Sequence, residues 1–252
     1  LVENDRVIGG MTPKCAEAAC ALYQIVVEGE CVATTARTAE MAKLTENSFR
    51  DVNIAFANEL STICHELDIN VWELIALANR HPRVNILTPG AGVGGHCIAV
   101  DPWFIVDACP EQAKIIRAAR EVNDAKPQWV LGRVKEALEY YHQQHPDAKR
   151  SDLIVACLGV AFKPDIDDLR ESPALGIAKE IGKLGCKLQV VEPNIETLPK
   201  GLEGANVTLA TFDEAMAQAD VVCVLVKHKP FIVHKKAVSG KETVIDAVGL
   251  LG

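Results

Sequence analysis

The residues best placed to do covalent chemistry lie in Pro89-Gly90-Ala91-Gly92-Val93-Gly94-Gly95-His96-Cys97, with Asp101 four positions on. A cysteine thiolate is a strong nucleophile, and a nearby carboxylate is an acid or base for the protons that its attack moves. The same stretch satisfies G-x-G-x-x-G through Gly90, Gly92 and Gly95, the fingerprint that brings backbone amides to a pyrophosphate. That fingerprint needs a strand before it and a helix after it. Residues 83–88 offer a short strand, but Pro89 separates them from the glycines, and 97–102 is a poor helix start. The glycines therefore read as a loop that lets ligand and backbone come close to Cys97. Upstream, Lys43, Asn47 and Arg50 fall at i, i+4 and i+7 and share one helical face.

Three stretches of different pattern have to hold these groups. Residues 1–35 read as strand, helix, strand: 6–9 is short and apolar, Thr12-Pro13 opens a helix with proline at its first position, and 30–34 is a second strand. This is too little to fold alone and reads as the tail of an α/β domain whose earlier strands are missing. Residues 36–146 are helical apart from the glycine loop. Thr35 caps a helix reaching about residue 65, with Met41, Leu44, Ser48, Val52, Ala55 and Glu59 on one stripe. Further helices are expected over 71–79 and 110–143, the second bent near Pro127.

Residues 147–252 alternate strand and helix. Strands are expected at 153–159, 187–192, 207–210, 221–226 and 243–248, the first of them a continuous apolar run as in a strand covered on both faces. Ser172-Pro173 opens a helix whose stripe is Ala174, Ile177, Ala178, Ile181 and Leu184, ended by Gly185, while Thr211 and Glu214 form a capping box. The fold class expected is α/β: a Rossmann-like, doubly wound C-terminal domain, a helical central domain suited to dimerisation, and the remnant of an N-terminal Rossmann domain. The first strand of the C-terminal domain lacks the glycine fingerprint and leads instead into Val160-Ala161-Phe162-Lys163-Pro164-Asp165.

Composition sets outer limits. The 252 residues, 49% of them hydrophobic and 24% charged, are ordinary for a soluble globular protein with ample core. A net charge of -8 argues against a nucleic-acid partner, since a phosphate backbone calls for a basic surface. The local basic run Lys227-His228-Lys229 with His234-Lys235-Lys236 reads as a solvated loop. No apolar stretch approaches the length of a membrane span, and the start of the chain is no signal peptide. The nine cysteines form no C-x-x-C pair and several lie in apolar runs, which fits free thiols in a reducing cytoplasm. His96 beside Cys97 lacks further ligands at metal-binding spacing, so no metal site is expected.

Three blocks occur in order: Ala39-Glu40-Met41-Ala42-Lys43 through Asn47, Gly92-Val93-Gly94-Gly95-His96-Cys97 through Asp101, and Gly159-Val160-Ala161-Phe162-Lys163 through Arg170-Glu171-Ser172. In them the chain resembles the UDP-glucose and UDP-mannose-type dehydrogenase family. Its His81-Pro82-Arg83-Val84-Asn85 and Asp101-Pro102-Trp103 contexts look most like the bacterial branch that acts on UDP-N-acetyl-D-mannosamine. The resemblance implies NAD-dependent oxidation of a UDP-sugar C6 alcohol to a carboxylate, in surface polysaccharide synthesis, by a homodimer. It implies Cys97 as nucleophile, Lys43 and Asn47 as stabilisers of thiolate and oxyanion, and Asp101 as base. Arg50, His81, Arg83 and the Gly94 backbone would line sugar and phosphates, Phe162 and Lys163 would hold UDP, and Arg170 would reach NAD.

Alternatives stay open at this point: UDP-glucose or another UDP-N-acetylhexosamine as substrate, a non-catalytic UDP-sugar-binding or dimerisation module, and a stand-alone NAD-binding domain built on Gly90 to Gly95. Because the family's N-terminal cofactor fingerprint is not in this sequence, the chain by itself is expected to bind UDP-sugar weakly at best and not to turn it over.

Overall fold

A computed structural model describes residues 2–252. The chain opens with a βαβ unit: β1 (Arg6–Gly10), α1 (Pro13–Tyr23) and β2 (Cys31–Thr35), the two strands pairing in parallel. Thr12 caps α1 by accepting the Cys15 N–H, and Thr35 caps the next helix by accepting the Thr38 N–H, each at 3.2 Å. Those local bonds set where the helices begin. The central region consists of α2 (Ala36–Glu66), α3 (Val71–Ala78), α4 (Asp101–Ala108) and α5 (Lys114–Gln144). The helix expected over 110–143 therefore starts later, and a separate α4 precedes it with Pro102 in its first turn. No strand forms over 83–88. α5 runs through Pro127 without a break in its helical assignment.

The apolar stripe expected on α2 is only partly the buried one. Ser48 and Ala55 are buried, but Met41 and Glu59 face solvent, while Asp51 and Asn58 are enclosed against α5 and Asn47 is buried against the start of α4. The interior between these helices is polar, so hydrophobic periodicity could not locate it.

The C-terminal part is a five-stranded, wholly parallel sheet in the order β5-β4-β3-β6-β7: β3 (Ile154–Leu158), β4 (Lys187–Val191), β5 (Val207–Leu209), β6 (Val221–Val224) and β7 (Val244–Asp246). Both faces are covered. α6 (Pro173–Gly182) presents Ile177 and Ile181 to one face, joined there by Val130, Val134 and Leu138 of α5. Burying each such side chain contributes roughly 1.5–3 kcal/mol. α7 (Phe212–Gln218), α8 (Lys229–Val233) and α9 (Lys235–Ser239) follow β5 and β6, and Phe231 and Val238 fill the other face. The basic run is thus no solvated loop. His228 is wholly buried, and the lysines that follow it lie on two short helices.

α5 serves both regions. Its first half packs on α2, and near its end Tyr141 donates to Asp220, whose other oxygen accepts the Ile154 N–H at 2.8 Å. The sheet is thereby fixed to the helices that carry the candidate site.

Candidate active site

The glycine loop lies between the two regions and is held from both. On the helical side Gly90 N–H donates to Asn58 Oδ1 at 2.9 Å; Asn58 donates to Asn123, and Asn123 to Asp51, whose carboxylate also takes Arg120. On the sheet side there is no room for a side chain. A Cβ on Gly94 would lie 2.4 Å from the Glu171 carbonyl oxygen, and Gly95, at φ +85°, faces the Phe162 ring. The loop is an interdomain contact, with no strand entering it and no helix leaving it directly.

Cys97 ends this loop with its residue exposed. Its carbonyl accepts the N–H groups of Val100 and Asp101 at 3.1 and 2.8 Å, a turn that starts α4. Asp101 is the first residue of α4, where its charge suits the helix N-terminus, and its carboxylate accepts the Asn47 side-chain amide at 2.5 Å. Cys97, Asp101 and Asn47 are thus linked in one short path between α2 and the loop. Lys43 stands one turn before Asn47, but its ammonium pairs with Glu46 at 3.1 Å and is 63% exposed.

Beside the loop, a cleft of about 300 Å³ opens at the carboxyl ends of β3 and β6. This is the topological switch point, where α5 and α6 lie on one face and α7 to α9 serve the other, and where open α/β sheets bind ligands. One wall is 88–92 of the glycine loop. The other is Phe162, Lys163, Pro173 and Lys227 with the apolar strand tips. Phe162 and Lys163 therefore face the cleft, and Gly94 abuts it through Phe162. Sequence reasoning missed Thr88 and Lys227; the second was legible, because it directly follows the buried strand beside the switch point.

Arg50, His81 and Arg83 are exposed and do not line this cleft. The reason for the last two is local: Asn79 binds both the N–H and the carbonyl of Ile86, closing 79–86 onto its own helix. Arg170 is also exposed, with its guanidinium gripped by Asp168 through two bonds of 2.9 and 2.6 Å. That pairing holds the Asp168 carboxyl well below the usual carboxylate range. Among the described residues no three His, Cys, Asp or Glu side chains gather as a metal set, and no helix is long and apolar enough to cross a membrane.

Two family models match: the UDP-glucose/GDP-mannose dehydrogenase central domain over residues 37–125, and that family's UDP binding domain over residues 156–252. The second sugar nucleotide is thus GDP-mannose, which corrects the UDP-mannose of the resemblance. The UDP-N-acetyl-D-mannosamine dehydrogenase of Salmonella typhi is 61% identical over 99% of this chain and 59% of its own length. The NDP-N-acetyl-D-galactosaminuronic acid dehydrogenase of Ralstonia nicotianae is also 61% identical, over 92% of this chain and 52% of its own. A solved UDP-D-ManNAc dehydrogenase from Pyrococcus horikoshii superposes with a TM-score of 0.83 at 36% identity, covering 100% of this chain and 57% of that one. The chain spans about three-fifths of the length of the Salmonella relative. With both models in chain order, and the loop and cleft lying where they meet, the chain belongs to the UDP-glucose/GDP-mannose dehydrogenase family.

Proposed function

We propose that this chain is the nucleophile-bearing and nucleotide-binding part of an NAD-dependent UDP-sugar 6-dehydrogenase acting on UDP-N-acetyl-D-mannosamine. The observation that carries the reading is the seat of the Cys97 loop: one segment both forms a wall of the switch-point cleft and ends on Cys97, whose carbonyl accepts the N–H of Asp101, the partner of Asn47. UDP in the cleft would meet Phe162 and the Lys163 ammonium, with Lys227, whose ammonium donates to the Gly249 carbonyl, at the same wall, directing the sugar past Gly94 toward Cys97.

Asp101, in contact with Asn47, takes the proton as the C6 alcohol becomes an aldehyde. An aldehyde carries no hydride that can leave until a nucleophile adds, so the Cys97 thiolate attacks it to give a thiohemiacetal, which is then oxidised to a thioester. Asn47 and Lys43 supply donors to the sugar oxygen as its charge develops, which requires Lys43 to leave Glu46. Water releases the carboxylate and returns the thiol. The hydride acceptor would be NAD+, one molecule for each of the two oxidations. Arg170, the cation assigned to it, is paired with Asp168 and would have to leave that carboxylate to reach it.

The chain alone is expected to form no NADH. Joined to a dinucleotide-binding domain, it should yield two NADH per UDP-N-acetyl-D-mannosamine, and Cys97→Ala should stop the reaction at one NADH with release of the aldehyde. Two NADH from Cys97→Ala would sink the assignment. The same assay with UDP-glucose and other UDP-N-acetylhexosamines decides the sugar, a choice the Ralstonia relative keeps open.

The proposed partner is a second copy. Phe49, Phe56 and Ile63, at seven-residue spacing on α2, are 69%, 51% and 46% exposed, an apolar stripe suited to a homodimer. A purely binding or dimerising role is the second reading this stripe supports; it predicts UDP affinity and dimer formation unaffected by Cys97→Ala and no turnover in any assembly. All nine thiols are free, consistent with the proposed cytoplasmic site of action.

A further inference from the structure

Below the cleft, at the carboxyl ends of β3, β4 and β6, Glu192 and His228 form a pair whose side chains are fully enclosed. His228 Nε2 lies 3.0 Å from Glu192 Oε2, and Nδ1 accepts the Asp165 N–H at 2.9 Å. A backbone N–H can only donate, so Nδ1 carries the lone pair and Nε2 the proton: the ring is the neutral tautomer that donates to Glu192. The same Glu192 oxygen accepts the Val160 and Ala161 N–H groups at 2.8 and 3.1 Å. Its other oxygen takes the backbone and side-chain amides of Asn194 at 3.2 and 3.0 Å. Burial alone would raise this carboxyl, but the donors from His228, Val160 and Ala161 hold it below its usual value.

These bonds have a common destination. Val160 and Ala161 are fixed by Glu192, and Asp165 by His228, at a left-handed φ of +61° that a non-glycine residue rarely adopts. The Asp165 carboxylate in turn accepts the Lys229 N–H at 2.9 Å. Between the two fixed ends lie Phe162, Lys163 and Pro164, all of which line the cleft. In a dinucleotide-binding domain the amides after the first strand face a pyrophosphate, and the acid at the tip of the second strand faces a ribose. Here that acid is turned under the loop and takes the amides itself.

We propose that Glu192 and His228, neither of which lines the cleft, are positioning residues that set Phe162 and Lys163 against the nucleotide. This rests on the reading that the cleft takes UDP. The test is calorimetric titration of the chain with UDP, run beside thermal melts. His228→Asn keeps an acceptor near the Nδ1 position for Asp165, whereas His228→Gln keeps only a donor toward Glu192. Binding by His228→Gln and Glu192→Gln should weaken about tenfold or more, equivalent to ~1.4 kcal/mol, with His228→Asn staying within about threefold of the parent.

If the parent chain does not bind UDP, the functional reading fails. If it binds and His228→Gln and His228→Asn retain equal, parent-like affinity, the positioning role fails while the reading stands. A melt lowered without loss of UDP affinity likewise overturns the inference, as it reveals a structural role alone. Should the variants not fold, the imidazole nitrogen resonances of the unsubstituted chain decide: Nδ1 bare and Nε2 protonated is expected, and the opposite tautomer overturns it.

Discussion

The helical centre and the C-terminal sheet are stabilised by opposite means. The sheet interior is apolar on both faces, mostly valine, leucine and alanine with isoleucines and cysteines on one face and Phe231 on the other, and its buried polar groups gather mostly at the strand tips. The contact between α2 and α5 instead buries Asp51, Asn58, Arg120, Asn123 and Lys126. Hydrophobic contacts tolerate small slides, whereas hydrogen-bonded pairs are satisfied in one register. The region carrying Asn47 and holding Gly90 is therefore the one that gives up stability for a fixed alignment, and the sheet supplies the stability.

The largest effect that would break this contrast is at Arg120. Arg120→Met leaves the fully enclosed Asp51 carboxylate without its counter-ion and should cost about 3–5 kcal/mol in urea denaturation. The double variant Asp51→Leu/Arg120→Met should recover most of that, because two matched apolar groups replace two desolvated charges. Additive losses would show that the network has no such coupling.

A smaller effect separates the two regions by pH. Burial lowers the Lys126 ammonium from 10.5 to about 7, with Ser61 Oγ at 2.5 Å and the Trp129 ring 3.7 Å away. Its folded pKa lies below its unfolded one, so its favourable contribution is present above 10.5 and is lost as pH falls toward 7. Lys126→Met should remove that slope and raise stability at pH 6 by about 2–3 kcal/mol, a fraction of the full linkage. Melts at pH 6 and pH 9 that move equally would refute it. Smallest is Thr211→Ala in the C-terminal domain, which removes the capping box with Glu214 and should cost about 1 kcal/mol, with no change in slope between pH 6 and pH 9 because Glu214, held low by its Thr211 bonds, is ionised throughout that range.

The strands of the C-terminal sheet and the capped helix starts were legible in the sequence because their causes are local. Thr35, Ser172 and Thr211 each accept from an amide three residues on, a geometry written in adjacent positions. The start of α4 was harder: Asp101-Pro102 fits a turn as well as a helix, and eight residues give little periodicity. His228 was harder again, since a histidine between two lysines looks solvated and its partner Glu192 is 36 positions away. For the site, the loop and Phe162-Lys163 follow from short motifs, while the Asn47–Asp101 contact joins residues 54 apart and needs the fold.

The fit of Gly94 and Gly95 against Glu171 and Phe162 leaves the loop no slack. Two machine parts in contact without clearance move together, so a small rotation of the sheet about α5 must be transmitted to the segment that ends in Cys97. The position of Cys97 is then a gauge of how the two regions are set.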